Sequence, residues 1–389
     1  MSKESLYGLI GKNVRLGPYP VDKLKRVAQP TTKITDSIPQ VSERDSGFIR
    51  AALGQYGPFA KKELGRFIPK EPIGAAENFM VNHLKTIADG ATNTHKAEIP
   101  DDPAILSRHI KRLGYFLGAA IVGICELPQY AVYSHNARGN PVENHHKYAI
   151  VVVTDQDYTT MHGSTGKDWI SGAQSFRGYS NNGFITTMMA GYLRRLGYPA
   201  RAHFHASYQV LIPPLLLLAG IGEMSRSGCI LNPFLGTRFK AGAVTTDLPL
   251  LPDKPIDFGL QDFCRKCKKC AQECPSKAIS TGEKIMYNGY ETWQFDAERC
   301  TKFRVTNQNG ASCGRCIKVC PWNKPRGLSH DMVRWMVNNT PFMNSAIIRM
   351  DSVMGYGKPD QRDKWWFDLE ETDGRYAKPG KDNKGSSSE

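Results

Sequence analysis

Eight of the ten cysteines lie between Cys264 and Cys320, and their spacing restricts the fold of this stretch more tightly than any other feature of the chain. The first group reads Cys264-x2-Cys267-x2-Cys270-x3-Cys274-Pro275. This is the bacterial ferredoxin run, in which three thiolates hold one [4Fe-4S] cubane and the fourth reaches a second. The other group, Cys300-x12-Cys313-x2-Cys316-x3-Cys320-Pro321, supplies the missing ligands with its first cysteine displaced upstream. Exchange of the fourth ligand then assigns Cys264, Cys267, Cys270 and Cys320 to one cluster. Cys274, Cys300, Cys313 and Cys316 go to the other. Cys300 has the loosest spacing, and an ordinary buried thiol is its alternative. Zinc and disulfides are the competing uses of so many cysteines, but neither accounts for two Cys-x3-Cys-Pro endings. Cys125 and Cys229 stand apart and read as structural thiols.

The chain is long enough, at 389 residues, to bury a large core and a cofactor beside this module. Its longest apolar runs, 113–125 and 210–222, are short of the roughly 20 residues a membrane helix needs, so no membrane span is expected. The start, MSKESLYGLIGKN, has no apolar signal core and no twin arginine, which points to the cytoplasm. A net charge of +14 would suit a nucleic acid, a membrane surface or an acidic protein. No run of five like charges and no aromatic-basic RNA motif accompanies it, so no nucleic-acid partner is expected. Residues 378–389 read as a disordered tail.

Upstream of the cysteines, Asp102 and Pro103 open a helix whose apolar positions follow the 3.6 period to Gly118. Residues 120–125 and the β-branched run 148–154 read as strands, the second buried on both faces. A helix is expected over about 182–196, with Phe184, Ile185, Met188, Met189 and Leu193 on one face, and a strand over 200–212. This order predicts an α+β layered domain over 101–257. It is followed by the cluster module at 258–330 and a packing segment at 331–377, with 1–100 as an N-terminal cap. The glycine-dense stretch 219–257, including Gly220, Gly222, Gly228 and Gly236, has two open readings: backbone cradling a large cofactor, or tight turns.

Several strings occur together in a family order: AGIGE at 219–223, then 228–238, TTDLPL, KPIDFG and the first cysteine run, with GYGKPDQRDKWW at 355–366. With SRHIKRLGYFLGAAIVGI and KYAIVVVT, they make roughly residues 100–370 similar to the corrinoid-dependent reductive dehalogenase family. The resemblance implies a nitroreductase-like α+β core with a two-[4Fe-4S] ferredoxin-like module. It also implies a base-off cobalamin without a protein ligand to cobalt, and reductive removal of halide from an organohalide. The corrinoid would lie against Gly220, Gly222, Gly228 and Gly236, with Tyr356 as a possible pocket aromatic. The family's tyrosine proton donor falls on Tyr179, its basic partner on Arg238, and a third polar position at or beside His205, where several relatives carry Asn.

The chemistry of those residue types agrees with the implied roles. A phenol has a pKa of about 10 and is a poor acid near neutrality unless its anion is stabilised. Tyr179 is expected just before a helix start capped by Ser180, with Arg238 adding fixed positive charge. No reductase module is visible in the chain, so the electrons are expected from a separate low-potential ferredoxin or flavodoxin. Its docking face would be the lysines and arginines beside the first cysteine run, Arg265, Lys266, Lys268, Lys269 and Lys277. Two other readings compete. An epoxyqueuosine reductase-like enzyme acting on tRNA would carry an aspartate as its acid, and a ferredoxin subunit without corrinoid would leave over 200 upstream residues without a role.

Overall fold

The computed structural model describes residues 15–379 apart from Asp36 and Ala311. The expected tail lies, from residue 380 on, outside the described residues. Four strands form the central sheet: β1 (Ile121–Glu126), β2 (Tyr148–Asp155), β3 (Ala200–His203) and β4 (Phe239–Thr246). They lie in the order β1-β2-β4-β3 and every neighbouring pair is antiparallel. The β-branched run of β2 serves two cores, as the two-residue period of a strand requires. Ile150 and Val152 pack with Val122, Ile124 and Val244 on one face, while Ala149, Val151 and Val153 pack with Ile121, Cys125 and Ala243 on the other.

Helices cover both faces. On one lie α1 (Pro72–Lys85), α2 (Pro103–Phe116) and α3 (Ile170–Arg195), which contribute Val81, Ile110, Ile185, Met189 and Leu193 to the first core. The start of α2 follows its sequence signals: Asp102 accepts from the Ala104 amide at 2.7 Å, and Pro103 takes the first helical position. On the other face lies α4 (Ile212–Leu218), whose Leu215, Leu216 and Leu217 are buried. The strand expected over 200–212 therefore stops at His203. Pro213 and Pro214 sit in the first turn of α4, where a missing N–H is no loss.

The helix expected from 182 begins instead at Ile170. Its first turns, rich in Ser and Gly, have low intrinsic propensity, and tertiary contacts override it. Gln174 donates to Asp157 O at 2.8 Å, and Thr154 Oγ1 on β2 donates to Gly178 O at 3.0 Å. Phe184 and Met188, expected inward, are exposed.

The cysteine module follows as α5 (Leu260–Lys266), the hairpin β5 (Ile279–Tyr287) and β6 (Tyr290–Phe295), and α6 (Ala297–Thr306). Then come α7 (Leu328–Asn339) and α8 (Asn344–Val353). Module and core touch backbone to backbone where glycines leave no Cβ in the way. A Cβ on Gly166 would lie 2.8 Å from Arg315 Cα, and one on Gly310 would overlap the backbone of Asp168 and Trp169. No described helix is long and apolar enough to cross a membrane.

Candidate active site and cluster-binding module

The eight clustered cysteines are all free, and they neighbour one another: Cys264, Cys267 and Cys320 share one packed set, while Cys270, Cys274, Cys300 and Cys316 share another. Cys264 feels the charges of Cys320, Cys270 and Cys267, and burial pushes its thiol well up. Cys300 feels Cys313 and Cys274, and Cys316 feels Cys313 and Cys300. Burial is the first cause of the upward shifts at Cys300, pushed up to about 11, and at Cys270, pushed up to about 12. So many buried thiols are poor company as bare thiolates and need a metal to neutralise them.

Their spacing indicates which metal. Among the described residues the one group of three ligand-type side chains with atoms within 4.8 Å of one another is His162, Asp360 and Asp363, so no three of these sulfurs approach that closely. A tetrahedral zinc with Zn–S of about 2.3 Å needs sulfurs about 3.8 Å apart. The sets are too wide for one zinc ion, and their ferredoxin-run spacing suits a cubane, whose four irons are each held by one thiolate. Arg226 ties the first set to the core: its Nε donates to Cys264 O at 3.0 Å, and its Nη1 to Ser280 O and Gly282 O. Cys125 is buried in the second core, as a structural thiol would be. Cys229 is exposed and close enough to Cys316, Cys300 and Cys270 to raise their thiols.

Tyr179 stands on α3 with its ring stacked on that of His205, centroids 4.6 Å apart at 18°. Phe176 meets both rings edge-on. Lys240 Nζ lies over the tyrosine ring, 5.2 Å from its centroid. The lysine reaches it because Gly178 has no side chain, since a Cβ there would sit 2.7 Å from Lys240 Cγ. Burial, then the charges of Lys240, Arg304 and Lys85, lower His205 to about 4, so this imidazole is neutral near neutral pH. Arg304 belongs to α6 and lies one turn beyond Cys300. The second thiol set therefore faces the tyrosine site through Arg304.

Two sequence expectations are corrected here. Tyr179 lies in the third turn of α3 and not before a helix start, because α3 begins nine residues earlier. Ser180 caps nothing, and its Oγ donates to Glu77 O at 3.3 Å. The Glu77 carboxyl nearby is pushed up to about 8 by burial, then by Glu71. Arg238 is buried, and its partners among the described residues do not include the phenol. Its Nε donates to Asn323 Oδ1 at 2.9 Å, its Nη1 to Gln156 O, and its guanidinium lies over the Tyr158 ring. The cations whose charge reaches His205 are Lys240, Arg304 and Lys85, none of which stood out in the sequence, and of these Lys240 lies over the tyrosine ring. Arg304 was legible in principle, because a helix through Cys300 puts the residue four places on over the same face.

The glycines divide. The space a Cβ would need at Gly220 is taken by Arg26 and Lys254, at Gly222 by Leu231, and at Gly236 by Trp322 and Asn323. Close approach at these three serves protein packing. Gly228 instead borders an apolar cavity of ≈ 400 Å³, walled by Leu211, Pro214, Leu217, Trp293 and Phe295 and reaching Ala297 at the start of α6. Tyr356 lies in a different groove, with Lys324 Nζ 3.7 Å from its ring centroid.

Comparison with known proteins agrees with this geometry. The 4Fe-4S dicluster domain family matches residues 263–324. A tetrachloroethene reductive dehalogenase of Dehalobacter restrictus is 35% identical over 229 residues, covering 56% of this chain and 40% of that protein. The solved catabolic reductive dehalogenase NpRdhA, in complex with 3-bromo-4-hydroxybenzoic acid, superposes with TM-score 0.91 at 43% identity, over 94% of this chain and 53% of that one. A further solved reductive dehalogenase, described in terms of B12-dependent dehalogenation, matches with TM-score 0.91 at 42% identity, over 94% of this chain and 53% of that chain. Epoxyqueuosine reductases are more distant, the Escherichia coli protein at 29% over 154 residues. The chain spans about half the length of the relatives it matches. Within that span, the chain is similar in both sequence and fold to reductive dehalogenases.

Proposed function

We propose that the chain reductively removes halide from an organohalide, using a corrinoid and two [4Fe-4S] clusters. One observation carries the reading: a phenol stacked on a neutral imidazole lies under Lys240 and feels, through that imidazole, the charge of Arg304, which stands one helical turn from Cys300. Paired cubanes pass single electrons, and the group beside them suits the movement of a proton. Reductive dehalogenation needs both, since R–X, two electrons and one proton give R–H and halide. The corrinoid, when bound, supplies the metal chemistry that breaks the carbon–halogen bond.

The apolar cavity bordered by Gly228, Leu211, Leu217 and Phe295 would meet only the apolar part of a corrinoid, and its end at Ala297 is the start of the helix that carries Cys300 and Arg304. The cobalt has no histidine ligand from the protein in this reading, because no Asp-x-His-x-x-Gly pattern occurs in the sequence, and it is base-off as the family resemblance implies. Tyr179 Oη delivers the proton to carbon. Lys240 and Arg304 provide positive potential for the phenolate that remains, in a site with little water to screen it. His205 stays neutral, adds no further charge, and holds the phenol ring by stacking. Arg238 braces the strand entrance through Asn323 and Gln156. Electrons come from a low-potential ferredoxin or flavodoxin. An epoxyqueuosine reductase would be expected to carry an aspartate where Tyr179 stands.

The test is anaerobic halide release by chain loaded with iron, sulfide and cobalamin, against chlorinated ethenes and halogenated phenols. One halide per two electrons is expected. Loaded chain that releases none from either class overturns the reading.

A further inference from the structure

Two apolar stripes on the cluster module have no partner among the described residues. On α7, Leu328 (91% exposed), Met332 and Trp335 (62% exposed) follow the i, i+4, i+7 spacing of a single face. Val337, on its other side, packs with Phe263, Cys264 and Cys267. On α8, Met350, Val353 and Met354 are exposed while Ile347 is buried in that same cluster. Met332, Met350 and Met354 line one groove of ≈ 270 Å³, floored by Phe263, Pro321 and Trp322. An apolar surface of this extent marks an interaction site, and methionines suit one that must adapt to its partner.

We infer that this face of α7 and α8 is where an acidic, one-electron iron–sulfur carrier protein docks, an inference that rests on the proposed function. Position argues for it first. The groove floor is the sequence neighbour of the first thiol set, Phe263 beside Cys264 and Pro321 beside Cys320, whereas the second set faces Arg304 and Tyr179. A carrier docked here would sit nearest the thiols of Cys264 and Cys320, which would hold the cluster that accepts its electron, with the Cys300 thiols between it and the tyrosine site. Two carriers, each oxidised by one electron, supply one turnover.

Charge argues for it next. Residues 324–358 hold Lys324, Arg326, Arg334, Arg349 and Lys358 against Asp331 and Asp351 alone. Lys324 pairs with Asp351 at 2.7 Å and Arg334 with Asp331 at 2.5 Å. Arg326, Arg349 and Lys358 are exposed, and no described carboxylate lies within 4.0 Å of them. The cations of the first cysteine run are largely spent internally: Arg265 and Lys266 on Asp262, Lys269 on Asp351. The free positive charge thus rims the apolar stripes, where it attracts an acidic carrier and repels a second copy of this basic chain.

The experiment compares wild type with Trp335→Glu and Met332→Glu, exposed sites where the fold should persist, using a purified acidic [4Fe-4S] ferredoxin as probe. Iron and sulfide content should be unchanged. Calorimetric Kd for the ferredoxin should rise at least tenfold, ferredoxin-driven cluster reduction should slow likewise, and reduction by methyl viologen should stay within twofold. Phe79→Glu, on an exposed apolar patch of α1, should leave all three unchanged. Wild type that does not bind the ferredoxin, or variants that bind it as tightly, overturns the inference. So does a wild-type dimer that the variants dissolve, which would make the face a contact between copies. Ferredoxin binding that follows the prediction in a chain that never releases halide would leave the docking face standing and remove the dehalogenase reading instead.

Discussion

The cysteine module and the tyrosine site lie side by side but are specified differently. All eight thiols come from 57 consecutive positions, and the geometry of a cubane dictates their spacing directly. The tyrosine site draws Tyr179 from α3, His205 from the loop after β3, Lys240 from β4 and Arg304 from α6. Coordination leaves a local signature in a chain. Proton chemistry requires only that groups meet in space, and any topology that brings them together will serve.

If each cubane depends on its own four thiols, removing one should cost a whole cluster. Cys300→Ser is expected to lower the iron content from about eight to about four per chain, with the g-values of only one reduced cluster left in EPR. Unchanged iron would return Cys300 to an ordinary buried thiol. Tyr179→Phe should leave iron and cobalt intact and slow halide release by about 10² to 10⁴-fold, the usual worth of a positioned acid. Retention of most of the rate would move the acid elsewhere. Lys240→Met should cost about 10 to 100-fold, less than the loss of the acid itself, because Arg304 still supplies positive potential. Arg238→Met should chiefly lower thermal stability. If Arg238→Met instead matches Lys240→Met in rate alone, the cation has been misassigned.

A smaller effect concerns His205. Its folded pKa of about 4 lies below the ordinary 6.5, so the unfolded chain binds the extra proton first as pH falls. Its contribution to stability is present above about pH 6.5 and is lost on the way down to about 4. His205→Asn should reduce the slope of unfolding free energy against pH in that window by about one proton, measured by denaturant titration. His203 is also buried and lowered, so it should retain its own share of the slope.

What could be read from residues alone follows the same division. The β-branched run of β2, the capped start of α2 and both cysteine groups announce themselves through period or spacing. The first three turns of α3 do not, because Ser171, Gly172, Ser175 and Gly178 are poor helix formers, and contacts from outside the helix hold them, Gln174 to Asp157 O and Thr154 Oγ1 to Gly178 O. That error moved Tyr179 to a helix start and gave Ser180 a role it does not have. Arg238, just before β4, and Lys240, its second residue, could be told apart only by what each touches.

Gly166 and Gly310 join the start of α3 to the loops around Cys313 and Cys316, main chain against main chain with no side chain between. Such a joint has little give. The helix that carries Tyr179 is therefore anchored at its base to the loop that bears Cys313 and Cys316, the proposed ligands of a second cubane. A chain that has not yet acquired its iron would be expected to present the phenol in a loosened setting, and insertion of the inorganic sulfide core would then act as the last step of maturation for an acid that never touches it. Fluorescence of Trp169, buried at that joint, offers a signal for following the event from the protein side.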